Sequence, residues 1–248
     1  IKLPKMFFGI FKNYVTKFYK TADHLVVVNP IFINELVKFG IDKNKVTYIP
    51  NYVSKESFYK KTEKEVNSLK DKYGLPKDKF IILGVGQVQT RKGVKDFIEV
   101  AKQNPELYFV WCGGFSFGKI TDGYQELKEI WDNPPQNVKF LGIIPRAEMN
   151  DIYNIADVLF MPSYNELFPM SILEAVNLNK PILLRNLELY EDILFHKYLY
   201  GENNEEFSEQ LKKLSKDKEL YEKASKFSKE ISDYYSKEHV ADLWRDFY

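Results

Sequence analysis

The 248-residue chain has one cysteine, Cys112, three histidines and a net charge of only +1. Each scarcity excludes something. A single thiol rules out a disulfide within the chain and fits a reduced, cytoplasmic setting. His24, His196 and His239 are scattered, with no second ligand at metal-binding spacing. No Asp-x-Asp pair is present to hold a metal on a diphosphate, and no GxSxG or Cys/His nucleophile signature occurs. The balanced charge gives no basic field for nucleic acid. No apolar run reaches the roughly 18 residues that a membrane-crossing helix requires.

Apolar side chains, by contrast, are plentiful: 44% of residues are hydrophobic, with 19 Phe and 17 Tyr. That suffices for a substantial core, and aromatic surfaces also suit carbohydrate or membrane contact. The chain opens on Ile1, and its first 20 residues do not read like the start of a domain. It is therefore expected to be part of a longer protein.

Residues 5–20, KMFFGIFKNYVTKFYK, have the period of an amphipathic helix. Lys5, Gly9, Lys12, Asn13, Thr16, Lys17 and Lys20 share one side, and Phe7, Phe8, Phe11, Tyr14, Val15, Phe18 and Tyr19 the other. Residues 1–20 hold five lysines and no acid. Two readings stay open: a helix packed on its own domain, or a basic-aromatic helix lying on an anionic bilayer.

HLVVVNP, a helix over 31–39 stopped by Gly40, and KVTYIPN form one β-α-β unit. Polar residues 54–68 cross to a second region. From 79 onward short apolar strands alternate with helices: KFIILGVG, LYFVWCGG, NVKFLGII, DVLFMPS and PILLR, separated by helices at 93–103, 123–132, 146–155 and 169–178 and followed by one at 188–195. Continuous apolar strands are buried on both faces. The alternation predicts a Rossmann-like α/β fold, a parallel sheet with helices on both faces. Residues 204–248 read as two or three amphipathic helices.

Ligands of such sheets sit outside the carboxyl ends of the strands, which singles out four stretches. In GVGQVQTRKGV, glycines including Gly86 end a strand and Arg91, Lys92 and Gly93 open a helix. A helix start with two cations suits an anion; a solvated turn is the competing reading. In SYNELFPMSILEA, Pro169 suits the first helical turn, where its missing N–H costs nothing. Glu166 precedes that helix and Glu174 lies inside it. Two carboxylates there suit the paired hydroxyls of a sugar, although Glu166 as a cap and Glu174 as a solvated helix residue stay open. CGGFSFGKITDG, with Gly114, is a binding loop or a flexible connection. GIIPRAE offers backbone groups near Ile144 for a base, with Arg146 nearby.

In combination these stretches resemble retaining glycosyltransferase family 4, which has the GT-B fold. ELFPMSILE resembles its Glu-x7-Glu motif, and GVGQVQTRKG its phosphate turn. ADHLVVVNP and KVTYIPNYVSKESF resemble the segment closing its N-terminal domain. NVKFLGIIP and IYNIADVLFMPS resemble its base-binding region and the strand leading to the motif. The resemblance spans about 20–195. Finer similarity, in GVGQVQTRKGV and GGFSFGKITDGYQELKEI, points to Gram-positive synthases that add glucose or galactose to diacylglycerol or glucosyl-diacylglycerol.

The resemblance implies that Glu166 acts at the anomeric centre of the transferred hexose and that Glu174 binds the ribose hydroxyls. Lys92 would hold the diphosphate. Phe168, Pro169 and Met170 would present the loop and backbone N–H groups. The family carries arginine where this chain has Gln87, and glycine where it has Tyr52; Arg91 is the candidate for the missing cation. Residues 1–54 would end the acceptor-side N-terminal domain, 55–230 form the nucleotide-sugar domain, and 231–248 form a helix packing back on the first part.

The expected function is metal-independent, cofactor-free retaining transfer of a hexose from UDP-glucose or UDP-galactose to a diacylglycerol-type lipid acceptor. The expected location is cytoplasmic, peripheral on the inner face of the cell membrane, with 1–20 on the anionic surface. The chain alone is expected to bind the sugar nucleotide and turn over little. Alternatives are a hexosyltransferase for wall or capsule polysaccharide and a non-catalytic nucleotide-binding module.

Overall fold

A computed structural model describes residues 5–248, with side chains from Gly9 onward. Residues 1–4, the start of the basic segment, and the side chains of Lys5, Phe7 and Phe8 lie outside the described residues. The chain opens with helix α1 (Lys5–Thr21), followed by β1 (Leu25–Val27), α2 (Ile31–Lys38) and β2 (Val46–Tyr48). β1 and β2 pair in parallel, Val26 opposite Thr47. Ile41, Val27 and Val46 form a small core between them and α2.

The main body starts with α3 (Glu63–Lys72), which Thr62 opens as a capping box with Glu65. Then follow β3 (Ile81–Val85), α4 (Val94–Gln103), β4 (Tyr108–Cys112), α5 (Tyr124–Asp132), β5 (Val138–Gly142), α6 (Met149–Ile155), β6 (Val158–Met161), α7 (Met170–Asn177), β7 (Ile182–Arg185), α8 (Leu189–Leu194) and β8 (Leu199–Gly201). α9 (Asn204–Lys216), α10 (Lys218–Tyr234) and α11 (Lys237–Phe247) close the chain. β8, only three residues long, escapes the sequence reading.

The sheet has six parallel strands in the order β5-β4-β3-β6-β7-β8. Alternate residues of each strand serve opposite faces. Ile81, Leu83, Val110, Cys112, Leu159, Met161 and Leu184 face α6, α7, α8 and α10 in one core. Ile82, Phe109, Trp111, Val158, Phe160 and Leu183 face α4, α5 and α9 in the other. There Phe97 meets Phe109 at 5.3 Å and Trp111 at 5.0 Å, both edge-on, a geometry that adds to plain area burial.

The strand order also places the site. The chain runs outward from β3 to β4 and β5, then returns to lay β6 on the other side of β3. The loops after β3 and β6 therefore leave in opposite directions, and the crevice between them is where such sheets take ligands.

Among the described residues, α1 leaves most of its aromatic side open. Phe11, Tyr14 and Phe18 are exposed, Tyr14 by 70%. No helix of the described residues is long and apolar enough to cross a membrane.

Candidate active site at the strand tips

The turn after β3 is built on two close approaches. Gly113, with φ +133°, lies so near the Gly86 carbonyl that a Cβ would stand 1.9 Å from its oxygen. Gly93, with φ +68°, has the Pro162 carbonyl oxygen 2.2 Å from the place of its Cβ. Only glycine combines that left-handed backbone with that absence of space. The turns after β3, β4 and β6 are thereby drawn together, and α4 starts directly after Gly93.

Lys92 folds back over Gly86, its side-chain carbons 3.3 Å from where a Cβ would sit. Its Nζ donates to Glu166 Oε1 at 2.6 Å. Both side chains are mostly buried, 13% and 6% exposed. A buried pair of this kind is held by desolvation: neither charge can be left alone there without a large penalty. Arg91, 43% exposed, donates to the Asn165 carbonyl at 2.5 Å and stands 3.6 Å from Glu166 Oε2. The Tyr164 N–H returns a bond to the Arg91 carbonyl at 2.9 Å. The β3 turn thus grips the loop after β6 through backbone and side chain together.

That loop has other holds. Arg185, at the end of β7, donates Nε–H to the Pro162 carbonyl at 3.0 Å and lies over the Tyr164 ring at 4.1 Å. Tyr164 donates its hydroxyl to Asp96 at 2.8 Å. Phe168 turns away from the crevice and sets its ring edge-on against Tyr235 at 5.5 Å, so its contribution at the loop is backbone. Pro169 stands one residue earlier than the sequence suggests, at the cap position, and Met170 is the first helical residue. Of the opening N–H groups of α7, that of Ile172 bonds the Pro169 carbonyl at 3.1 Å; those ahead of it have no carbonyl a turn earlier in the helix to meet.

Glu174 is 4% exposed inside α7 and pairs with the exposed guanidinium of Arg146, which leaves the loop after β5. Arg146 lies over Phe58 at 4.8 Å. Ile144 is half-buried against the core, and Gly114 packs against Ile143. Gln87 accepts from Gln89 at 3.1 Å. The structure therefore gathers Lys92, Arg91 and Glu166 in one cluster and Glu174 with Arg146 in a neighbouring one. Gln87 and Phe168 are engaged elsewhere.

Sequence reasoning passes over two buried phenols. Burial pushes the Tyr153 hydroxyl well up, with the charge of Glu174 adding to it. Tyr190 is pushed well up by burial and then by Glu166. Neither hydroxyl has a hydrogen-bond partner among the described residues. Tyr153 falls within the IYNIADVLFMPS stretch but is given no role there, and Tyr190 lies in no motif, so only the folded chain connects them to the two acids. Beside them the Cys112 thiol is pushed up to about 12 by burial, opposed by a bond to the Ile144 backbone and reinforced by Glu174.

The crevice at the switch point of the parallel sheet thus holds a buried lysine–carboxylate pair, with a second buried acid inside α7. The glycosyl transferases group 1 profile matches residues 65–231, and the chain belongs to that family. Over its whole length it is 46% identical to the alpha-galactosylglucosyldiacylglycerol synthase of Streptococcus pneumoniae, and it covers 66% of that protein. It is 31% identical over 207 residues to the processive diacylglycerol alpha-glucosyltransferase of Acholeplasma laidlawii, covering 82% of this chain and 61% of that one. The chain thus spans somewhat less than two thirds of either relative. Its fold is that of GT-B glycosyltransferases. All of it superposes on 69% of Anabaena HepE, solved with UDP, at TM-score 0.84 and 17% identity. A sucrose-phosphate synthase from Thermosynechococcus elongatus matches 96% of it, and 62% of that chain, at TM-score 0.81 and 18% identity.

Proposed function

We propose that the protein is a retaining hexosyltransferase that moves glucose or galactose from a UDP-sugar to a diacylglycerol-type glycolipid, and that the residues described form its sugar-nucleotide half. The observation that carries this reading is the Lys92–Glu166 pair at the β3/β6 crevice, 2.6 Å apart and nearly enclosed. The 46% identity to a glycosyldiacylglycerol synthase supports the acceptor class.

In this reading the UDP diphosphate lies across the strand tips. Lys92 and Arg91 face it with the start of α7, and positive groups so fixed favour charge that develops on a departing diphosphate. They take the part that a metal plays elsewhere. Glu174 accepts the ribose hydroxyls and Glu166 stands by the hexose. The anomeric C–O bond to the diphosphate breaks, its electron pair leaving with UDP. The acceptor hydroxyl oxygen forms the new bond on the same face and passes its proton to the leaving phosphate oxygen. Glu166, paired with Lys92, stabilises positive charge building at the anomeric carbon.

α1 supports a peripheral position on the inner membrane face. Its Phe11, Tyr14 and Phe18 side chains are exposed, as are Lys12, Lys17 and Lys20, the pattern of a helix lying in an anionic interface.

The test is transfer. The complete protein, given vesicles containing diacylglycerol or glucosyl-diacylglycerol and labelled UDP-glucose or UDP-galactose, is expected to yield a labelled lipid with an α-linked hexose. Label passing only to a soluble or polyprenyl acceptor would refute the lipid assignment.

A further inference from the structure

Asn29 lies at the end of β1, in the part of the chain outside the six-stranded sheet, yet it is completely buried. Its amide Nδ2 donates to the Leu167 carbonyl at 3.2 Å and to the Leu189 carbonyl at 3.2 Å. Its Oδ1 accepts from the Ile31 N–H at 3.1 Å, at the opening of α2. Both amide protons and one acceptor position are used, which is the condition under which a buried amide is tolerated.

Leu167 directly follows Glu166. Its side chain is 63% exposed and lines an apolar groove with Val26, Phe32 and Leu36, so side-chain packing does little to fix its backbone. On one side the loop is held by Arg91 at Asn165, and on the other by Phe168 on Tyr235. Between those anchors the Leu167 carbonyl is the point at which residues 1–54 grip the loop by a polar bond. Removing that bond leaves a carbonyl in need of a donor and frees the Leu167–Phe168 peptide, one residue past Glu166, to rotate.

We propose that Asn29 is a positioning residue: its side-chain amide sets the Leu167 peptide, and through it the height of Glu166 at the hexose, and so ties the β1–α2 unit to the sugar end of the site. This rests on the reading of Glu166 as the hexose-facing acid. UDP itself, held by Lys92 and Glu174, does not depend on Asn29; the sugar does.

Asn29→Asp keeps the acceptor for Ile31 but turns a lone pair toward two carbonyls. Asn29→Ser, a small hydroxyl that still serves the helix start, is the milder partner. Binding of UDP and of UDP-glucose is measured by titration on both variants, together with amide exchange of residues 164–168. Turnover is measured in the complete protein. UDP affinity is expected to stay within about threefold, while the extra affinity that glucose brings falls about tenfold. Exchange in 164–168 should quicken, and kcat/KM for the sugar nucleotide should fall at least tenfold, with kcat reduced as well. Unchanged exchange with an unchanged sugar increment overturns the proposal. So does a parallel loss of UDP binding and thermal stability in both variants, which marks Asn29 as a fold residue. If the parent chain binds no UDP, the sugar-nucleotide reading fails instead, and the exchange measurement still decides whether Asn29 holds the loop.

Discussion

Lys92 Nζ and Glu166 Oε1 stand 2.6 Å apart, joining the turn after β3 to the loop after β6 across 74 residues of sequence. The pair neutralises two charges that are each nearly out of water. Breaking a buried pair from one side typically costs about 3–5 kcal/mol, because the survivor is left uncompensated. With Arg91 3.6 Å from the second carboxylate oxygen, the lower end applies. Lys92→Ala is expected to lower stability by about 3 kcal/mol, or the melting temperature by about 6–12 °C for a chain of this size. Lys92→Ala combined with Glu166→Gln should recover a good part of that loss, which a thermal double-mutant cycle reads directly.

Gly93→Ala places a methyl group against the Pro162 carbonyl in a backbone region that alanine avoids. Strain and clash together are expected to cost at least about 2 kcal/mol and to weaken UDP binding, because Lys92 precedes this residue. Equilibrium denaturation and a UDP titration on the same preparation check both. A stable, tight-binding variant would show that the β3 turn does not need this approach to the β6 loop.

Cys112 supplies a pH signature. Its folded pKa of about 12 lies above the roughly 8.5 of an unfolded thiol. Between the two the unfolded chain loses its proton first, so the thiol's contribution to stability is whole below about pH 8.5 and declines as pH climbs toward 12. The stability of the parent relative to Cys112→Val should therefore decline above pH 8.5. At pH 8.5 alkylation of the native thiol should be far slower than that of the denatured chain, measured by mass spectrometry.

Phe11 and Phe18 are 57% and 64% exposed on α1. Burying a phenylalanine is worth about 1.5–3 kcal/mol. Replacing both by serine is expected to weaken binding to anionic vesicles by about a hundredfold or more, and raised salt should weaken the parent as well. Flotation of the parent and variant with anionic and neutral vesicles separates the two contributions. Equal flotation of the two proteins would exclude this face as the membrane contact.

The regular alternation after residue 79 made the sheet legible, because strands buried on both faces must be apolar throughout. β8 was not legible: three residues with one buried glycine carry no period. Glycines, Pro169 and the Arg91-Lys92 pair marked the turns, since these residues act on their own backbone or at a helix start. What stayed hidden depends on contacts across long sequence gaps. Asn29 is an ordinary turn residue until it meets Leu167, 138 positions on. Tyr153 and Tyr190 read as core until the fold sets them by Glu174 and Glu166. Gln87 stood where a cation was expected, and only the structure shows it paired with Gln89.

The account turns on a UDP-sugar held by Lys92 and Glu174 at the strand tips, and isothermal titration of the chain tests it most directly. UDP and UDP-hexose should bind with or without magnesium, and Lys92→Ala and Glu174→Ala should each weaken UDP at least tenfold while the proteins stay folded. Folded parent protein that ignores UDP, or either variant binding UDP as the parent does, would contradict it.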